Sequence, residues 1–362
     1  MRIAQWVPAF TYGGVETYLA RLCRAMVALG HEVTLLTEGG ELEPLLDGSG
    51  VVLVKLPAGP ERMALAVEAL RARGCEILNA HNYRAGRWAA EVAPQAGVPW
   101  ILSIHGPRSL LHRLAHRAWT PLVITTSLGD KQNIAGWFGI APDRVRVSYQ
   151  TVDPTVYHPG PPPDAVRAEF APDGAPLIVH VSRFSNRKSA AALCLLRALP
   201  RIRQVVPGTR LLLVGSGPET GAIRALAEQV TAQHGPIARL EPPRLALAEL
   251  WNLAAVGVAT ATTALEAMAC GAPLIAAGRT GYLGPMTQAN FGRGLDLLFA
   301  DHGRCPARTT PDRMETDVVR VLTAREAARA EAEALAAKVL AEFNPTVVAE
   351  HVLGIYEELL AM

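Results

Sequence analysis

Glu266-Ala267-Met268-Ala269-Cys270-Gly271-Ala272-Pro273, followed without a break by the apolar run Leu274-Ile275-Ala276-Ala277, decides how this chain folds. The first part is a short helix: Gly271 suits the left-handed position after a helix, and Pro273 cannot continue one. The apolar run reads as a buried strand, so helix passes into strand almost directly. With a turn expected at Thr262-Thr263, Glu266 falls at the helix start, where the dipole attracts anions and free N–H groups can hold a phosphate. A carboxylate there is better suited to accept from neutral hydroxyl donors, while the amides ahead of it face the phosphate. Taken alone, the stretch is also compatible with an ordinary helix-to-strand connection.

Outward from this junction the same alternation repeats. Residues 2–7, 32–37, 51–56, 76–80, 100–104 and 122–126 are short β-rich runs, and most are separated by helical patterns at 15–29, 62–73, 84–95 and 129–138. A second series begins at 177–182 and continues through 210–214, 238–241, 256–259, 274–277 and an apolar run at 295–300 read as a further strand. Alternating strands and helices predict a doubly wound α/β architecture, present twice. Pro159-Gly160-Pro161-Pro162-Pro163 reads as a linker, because prolines stiffen the backbone and remove donors. The expected division is therefore residues 1–165, residues 166–343, and a last helix within 344–362 that packs across the domains. Ligands of open α/β sheets bind at the carboxyl ends of the strands, which directs attention to the loops following them, facing a cleft between two such sheets.

At 362 residues the chain is long enough for two cores. Half of it is apolar and 19% is charged, which excludes disorder, and a net charge of +2 argues against general nucleic-acid binding. The five cysteines are odd in number and contain no C-x-x-C pair, which suits a reducing compartment better than a disulfide or zinc framework. The N-terminal apolar run meets Pro8 too early for a signal-peptide core, and no run is long enough to span a bilayer. A cytoplasmic protein is expected.

Several strand-end loops carry residue types suited to an anionic ligand. Tyr12-Gly13-Gly14-Val15-Glu16-Thr17 follows the first strand, and its glycines allow close backbone approach at a helix start. Without G-x-G-x-x-G spacing it is no nicotinamide fingerprint, and a plain tight turn stays open. Ser182-Arg183-Phe184-Ser185-Asn186-Arg187-Lys188 offers one forked and one point-like cation, a pairing that grips a diphosphate; a solvated basic turn is the alternative. Gly215-Ser216-Gly217-Pro218 follows an apolar strand and again permits close approach to a nucleotide, a weak pattern by itself. His81-Asn82 and His105 also follow strands, where an imidazole could bond a hydroxyl or move a proton, or be merely structural.

Other chemistries find no support. His112 and His116 are four apart, but Arg113 stands where H-E-x-x-H requires glutamate, and no G-x-S-x-G elbow, Walker motif or metal-ligand cluster occurs. The segment from Arg108 to Arg117 is basic and amphipathic, suited to weak contact with anionic lipid at the inner membrane face or to a solvated helix with its leucines inward.

Together these segments resemble the retaining glycosyltransferases of the GT-B fold, specifically family four, over nearly the whole chain. The glycine loop at Gly13-Gly14 is similar to that family's N-terminal loop. Ser182-Arg183 with Lys188 matches its G-R-x-x-x-x-K segment with serine in place of glycine. Gly215-Ser216-Gly217-Pro218 and the stretch from Glu266 to Pro273 match two further motifs, the last being the most specific. The resemblance implies two Rossmann-like domains facing a cleft, the first acceptor-side and the second binding the nucleotide sugar. It implies Arg183 and Lys188 on the donor diphosphate, Glu266 on the ribose, and Gly13, Gly14, Gly215, Thr262, Thr263, Ala264 and Leu265 as further donor contacts. His105 matches the active-site histidine and, with Arg183 and Lys188, completes the catalytic set, while His81 and Asn82 line the acceptor side. No metal and no cofactor beyond the donor substrate is implied.

One departure stands out. The family has a second glutamate eight residues before Glu266, and here that position is Val258. A glycosyltransferase using a nucleotide diphosphate sugar and an unidentified hydroxyl acceptor is the expectation. A nucleotide-sugar-binding protein without turnover, or an epimerase on the same fold, are the alternatives, the latter lacking an evident carboxylate pair.

Overall fold

The computed structural model describes residues 1–106, 122–185, 187–244 and 246–362. The segment from Arg108 to Arg117, with His112 and His116, lies outside them, as does Asn186. The chain divides into two units, one formed by Met1–Thr151 with Phe343–Met362, the other by Val152–Glu342.

The first unit runs β1 (Arg2–Trp6), α1 (Gly14–Ala28), β2 (Glu32–Thr37), β3 (Val52–Lys55), α2 (Arg62–Ala72), β4 (Ile77–His81), α3 (Asn82–Ala96), β5 (Trp100–Ile104), β6 (Val123–Thr125), α4 (Leu128–Phe138) and β7 (Val145–Val147). The strands pair in parallel in the order β3-β2-β1-β4-β5-β6-β7. Helices cover both faces, which is why the central strands are apolar almost throughout rather than alternating. Only β7 escapes the sequence pattern, its three residues centred on Arg146 being too short to show a period.

The second unit runs α5 (Asp164–Phe170), β8 (Leu177–Val181), α6 (Ser189–Val205), β9 (Arg210–Val214), α7 (Thr220–His234), β10 (Ala238–Glu241), α8 (Ala248–Leu253), β11 (Val256–Ala259), α9 (Ala261–Ala269), β12 (Leu274–Gly278), β13 (Gly281–Pro285), α10 (Phe291–Asp296), α11 (Pro311–Thr323) and α12 (Arg325–Glu342). Its strand order is β10-β9-β8-β11-β12-β13, parallel except for β13, which runs antiparallel to β12. Both sheets thus reverse strand order beside their first strand, the place where crossovers diverge and a crevice opens at the carboxyl edge.

Three sequence-based expectations are corrected here. The division falls at Thr151/Val152, ahead of residue 165, because the proline segment is tied into the second unit: Gly160 N donates to Asn252 Oδ1 at 3.2 Å, and Asn252 Nδ2 donates to His158 O at 3.2 Å. The last helix, α13 (Pro345–Leu360), belongs to the first unit, where Val352, Leu353 and Tyr356 share a core with Leu19, Leu22 and Met26 of α1. Residues 295–300 form no strand. Leu298, Phe299 and Ala300 have φ of 43°, 50° and 74°, three consecutive left-handed residues. Such backbone costs about 1–2 kcal/mol per residue, and it is held by donors: Ala261 N to Leu298 O at 3.1 Å, Thr260 Oγ1 to Phe299 O at 2.7 Å and Thr280 N to Ala300 O at 3.0 Å.

The loops following β8 and β9 are joined backbone to backbone. Phe184 N donates to Ser216 O at 2.9 Å, and Glu219 N donates to Phe184 O at 3.0 Å. A Cβ on Gly215 would collide with the Ser182 carbonyl and one on Gly217 with the Phe184 carbonyl. These glycines therefore serve close approach between two loops of the protein, and not only the approach of a nucleotide expected from sequence.

Gly215→Ala should cost about 2–3 kcal/mol, lowering Tm by roughly 5–10 °C in a thermal melt. Ala261 has φ of 54° at the first position of α9, a conformation that favours glycine. Ala261→Gly should therefore raise stability by about 0.5–1 kcal/mol in the same assay, and a destabilised variant would contradict the strain argument.

Candidate active site

At the carboxyl edge of the first sheet the central strands carry polar side chains in an otherwise apolar interior. The register sets Gln5 of β1 beside Asn79 of β4, and His81 beside Ser103 of β5. His81 Nε2 lies 2.8 Å from Gln5 Oε1, and His81 Nδ1 lies 2.9 Å from His105 Nε2. The two imidazoles stack at 5.2 Å, and Tyr18 of α1 meets His105 edge-on at 5.3 Å. Burial, reinforced by His105, holds the His81 pKa well below its ordinary value, so this imidazole is neutral at pH 7. The histidines expected as separate ligand contacts are thus one coupled pair.

Two neighbouring expectations change. Asn82 has φ of 73°, and its Oδ1 accepts from the N–H groups of Arg84 at 3.0 Å and Ala85 at 3.3 Å. Its carbonyl oxygen is a cap for α3, which leaves only the Nδ2 donor for an acceptor molecule. Gly13 is the extended residue ahead of α1, and the carboxylate of Glu16 folds back against it. That carboxylate already occupies the positive end of the helix, so a phosphate at Gly13-Gly14 must displace it.

In the second unit, Arg183 stands exposed just after β8, and among the described residues no carboxylate pairs with it. Lys188, immediately before α6, is held by Asp301: its Nζ lies 3.0 Å from Oδ1 and 3.1 Å from Oδ2. Arg279 Nη2 donates to the Asp301 carbonyl at 2.9 Å, and its Nε lies 3.8 Å from Oδ1. Burial would raise the Asp301 pKa, yet Lys188, His302 and Arg279 together hold it below the usual carboxylate value. Burial pushes the His302 imidazole down to about 4, so at pH 7 the cluster of two cations and one carboxylate keeps a net positive charge. Ser182, which stands where the family motif has glycine, donates its hydroxyl to His180 Nε2 at 3.0 Å, because His180 Nδ1 is taken by the Val258 carbonyl at 2.7 Å.

Helix α9 begins earlier than the sequence suggested. Thr260 precedes it and Thr262-Thr263 form its first turn rather than a turn ahead of it, so Glu266 lies in the second turn, buried at 5% exposure. The amide of Ala261 is taken by Leu298 O, and helix geometry pairs the amides of Ala264 and Leu265 within the helix. Of the expected amide donors only Thr262 and Thr263 keep theirs for a ligand. Val258 lies inside β11, fully buried, with its backbone paired to both neighbouring strands. Strand passes to helix through Thr260 alone, and the Val258 side chain is part of the hydrophobic core of the second unit. The helix ends as anticipated, with Gly271 at φ 74°.

Asp301, Arg279, His180, Gln5 and Tyr356 were not found by sequence reasoning. Gln5 and His180 interrupt apolar strands and Arg279 follows one, whereas Asp301 follows the left-handed turn and Tyr356 lies in α13, and only the folded arrangement shows what each faces. A cavity of about 740 Å³ lies at the amino ends of β8, β11 and β12, lined by Pro159, Arg167, Ala255, Pro273, Arg325 and Arg329, and none of the candidate residues borders it. Among the described residues no three His, Cys, Asp or Glu side chains are grouped to hold a metal ion, and no helix is long and apolar enough to cross a membrane.

Comparison with known proteins bears on the family and the fold. Residues 12–156 match the model of Glycosyltransferase Family 4, and residues 175–292 match that of Glycosyl transferases group 1. The D-inositol 3-phosphate glycosyltransferase of Stackebrandtia nassauensis is 27% identical, over 95% of this chain and 86% of its own. A glycosyltransferase from Rickettsia africae superposes with a TM-score of 0.81 at 17% identity, over 99% of this chain and 98% of its own. HepE from Anabaena, solved with UDP-glucose, gives a TM-score of 0.78 at 16% identity, over 99% of this chain and all of its own, 100%. With a family 4 segment in its first unit, a group 1 segment in its second and this fold in both, the chain belongs to the GT-B glycosyltransferases.

Proposed function

We propose that the protein moves a sugar from a nucleoside diphosphate sugar to an acceptor hydroxyl with retention at the anomeric carbon. The observation that carries this reading is the cation set at the carboxyl edge of the second sheet: exposed Arg183, and Lys188 held in place by Asp301 without losing the cluster's positive charge. Asp301 engages part of the Lys188 ammonium, which keeps a further hydrogen for a phosphate oxygen. Arg183 and Lys188 meet charge on the departing diphosphate as the sugar–oxygen bond breaks, and they need no reorganisation to do so. The acceptor oxygen bonds the anomeric carbon on the face the diphosphate leaves, and its proton passes to the departing phosphate oxygen. The sugar carries oxocarbenium-like charge in between, so no protein nucleophile and no metal is required.

In this reading the amides of Thr262 and Thr263 face the diphosphate, Glu266 accepts from the ribose hydroxyls, and His105 stands beside the transferred sugar. The Stackebrandtia relative, a D-inositol 3-phosphate glycosyltransferase, makes inositol phosphate a sensible first acceptor to assay. A second reading, nucleotide-sugar binding without turnover, draws on the burial of Val258, which leaves the sugar without a carboxylate from that position.

Replacing Arg183 and Lys188 together by Ala should reduce transfer at least about 10³-fold, measured as nucleoside diphosphate release, in a protein that still folds but melts at a lower temperature because Asp301 loses one of its two cations. Substantial transfer by that variant would exclude the assignment. A matching nucleoside diphosphate at about 100 times its Kd should add roughly 2.7 kcal/mol and shift Tm by several degrees, a shift that Arg183→Ala abolishes. Binding that persists with no donor consumption for any acceptor would favour the second reading.

A further inference from the structure

The head group of Gln5 is surrounded on three sides. Its Nε2 donates to Tyr356 Oη at 3.0 Å and faces Met26 Sδ at 3.6 Å, while its Oε1 lies 2.8 Å from His81 Nε2. An amide nitrogen has two hydrogens, and here one is directed to the phenol oxygen and one to the sulfur. The opposite orientation would set a carbonyl oxygen against the thioether, which has no hydrogen to donate. The Gln5 oxygen therefore faces His81, and His81 Nε2 must carry a hydrogen.

The consequence passes along the chain of bonds. A neutral imidazole has one N–H, so His81 Nδ1 is left as an acceptor. The 2.9 Å contact from His81 Nδ1 to His105 Nε2 then requires the hydrogen on His105 Nε2. Tyr356 is anchored in turn: its Oη accepts from Asn79 Nδ2 at 2.6 Å, and Asn79 Oδ1 accepts from Ser103 Oγ at 2.9 Å. Every member lies on β1, β4, β5 or α13 or directly after one of them, and Gln5, Asn79, His81, Ser103 and Tyr356 are all buried. Burial keeps His81 itself neutral at pH 7.

We propose that Gln5, anchored by Tyr356 of α13, sets the tautomer of His81 and through it keeps the hydrogen of their shared bond on His105 Nε2. Gln5, His81 and Tyr356 are positioning residues, and the proposal rests on His105 being the substrate-facing histidine of the preceding section. It gives α13 a task beyond packing, since the last helix of the chain supplies the phenol that orients the first strand's amide.

The test reads tautomers directly, by NMR of ring nitrogens in ¹⁵N-histidine-labelled protein without substrate. The wild type should show the hydrogen on Nε2 of both His81 and His105. In Gln5→Met the Nε2–H of His81 loses its acceptor, His81 turns donor at Nδ1, and His105 changes to the Nδ1–H form. Transfer should then fall about 10²-fold in kcat with little change in donor KM. If Gln5→Met does not fold, Tyr356→Phe keeps the ring and should give a mixed His105 tautomer. A wild-type His105 protonated at Nδ1, or tautomers unmoved in a folded Gln5 or Tyr356 variant, overturns the proposal. Because the spectra need no turnover, a protein that transfers no sugar would refute the functional reading and leave the tautomer result to judge the relay.

Discussion

A parallel sheet covered on both faces by helices leaves polar chemistry almost nowhere to go but the carboxyl edge, and this constraint organises both units. Their strand orders reverse next to β1 and β8, where the connecting helices diverge. The side chains there are close to the core and are desolvated, so each polar atom needs a partner. The result is a set of short, fully directed hydrogen-bond chains rather than a scatter of surface groups.

The two units meet that requirement differently. In the first the partners are two amides, two imidazoles, a phenol and a hydroxyl, arranged so that the direction of one bond dictates the next. In the second the partners are charged, and Asp301 stands between Lys188 and Arg279. A buried carboxylate alone would be costly, but between two cations it becomes a brace that holds a lysine for an anionic ligand. The left-handed turn at Leu298–Ala300 delivers Asp301 to that place, and its strain is offset by three donors from Thr260, Ala261 and Thr280.

Much of the fold was legible because hydrophobic runs and helix stops are local. The strands at 32–37, 100–104, 210–214, 238–241 and 256–259 coincide with their predicted bounds, and the last helix falls within the expected 344–362. The family motifs were equally legible, since they are contiguous residues after strands. What misled was also local: the apolar run at 295–300 has strand composition but a backbone no composition announces, and Thr262-Thr263 look like a turn although Thr260 already opens the helix. Val258 could be counted as eight residues before Glu266, but only the strand register shows that it is paired and buried.

The amino-acid sequence by itself determined two doubly wound α/β units, the strand-end loops that carry Arg183, Lys188 and His105, and the stop of α9 at Gly271, because each follows from periodicity, turn chemistry or spacing within a few residues. Tertiary structure alone decided that α13 returns to the first unit to place Tyr356 beside Gln5, that Asp301 braces Lys188 across 113 residues of chain, and that the two histidines share one bond. The physical reason is that a hydrogen bond or ion pair depends on distance in space and on burial, and those are set only when separate strands and helices are packed together.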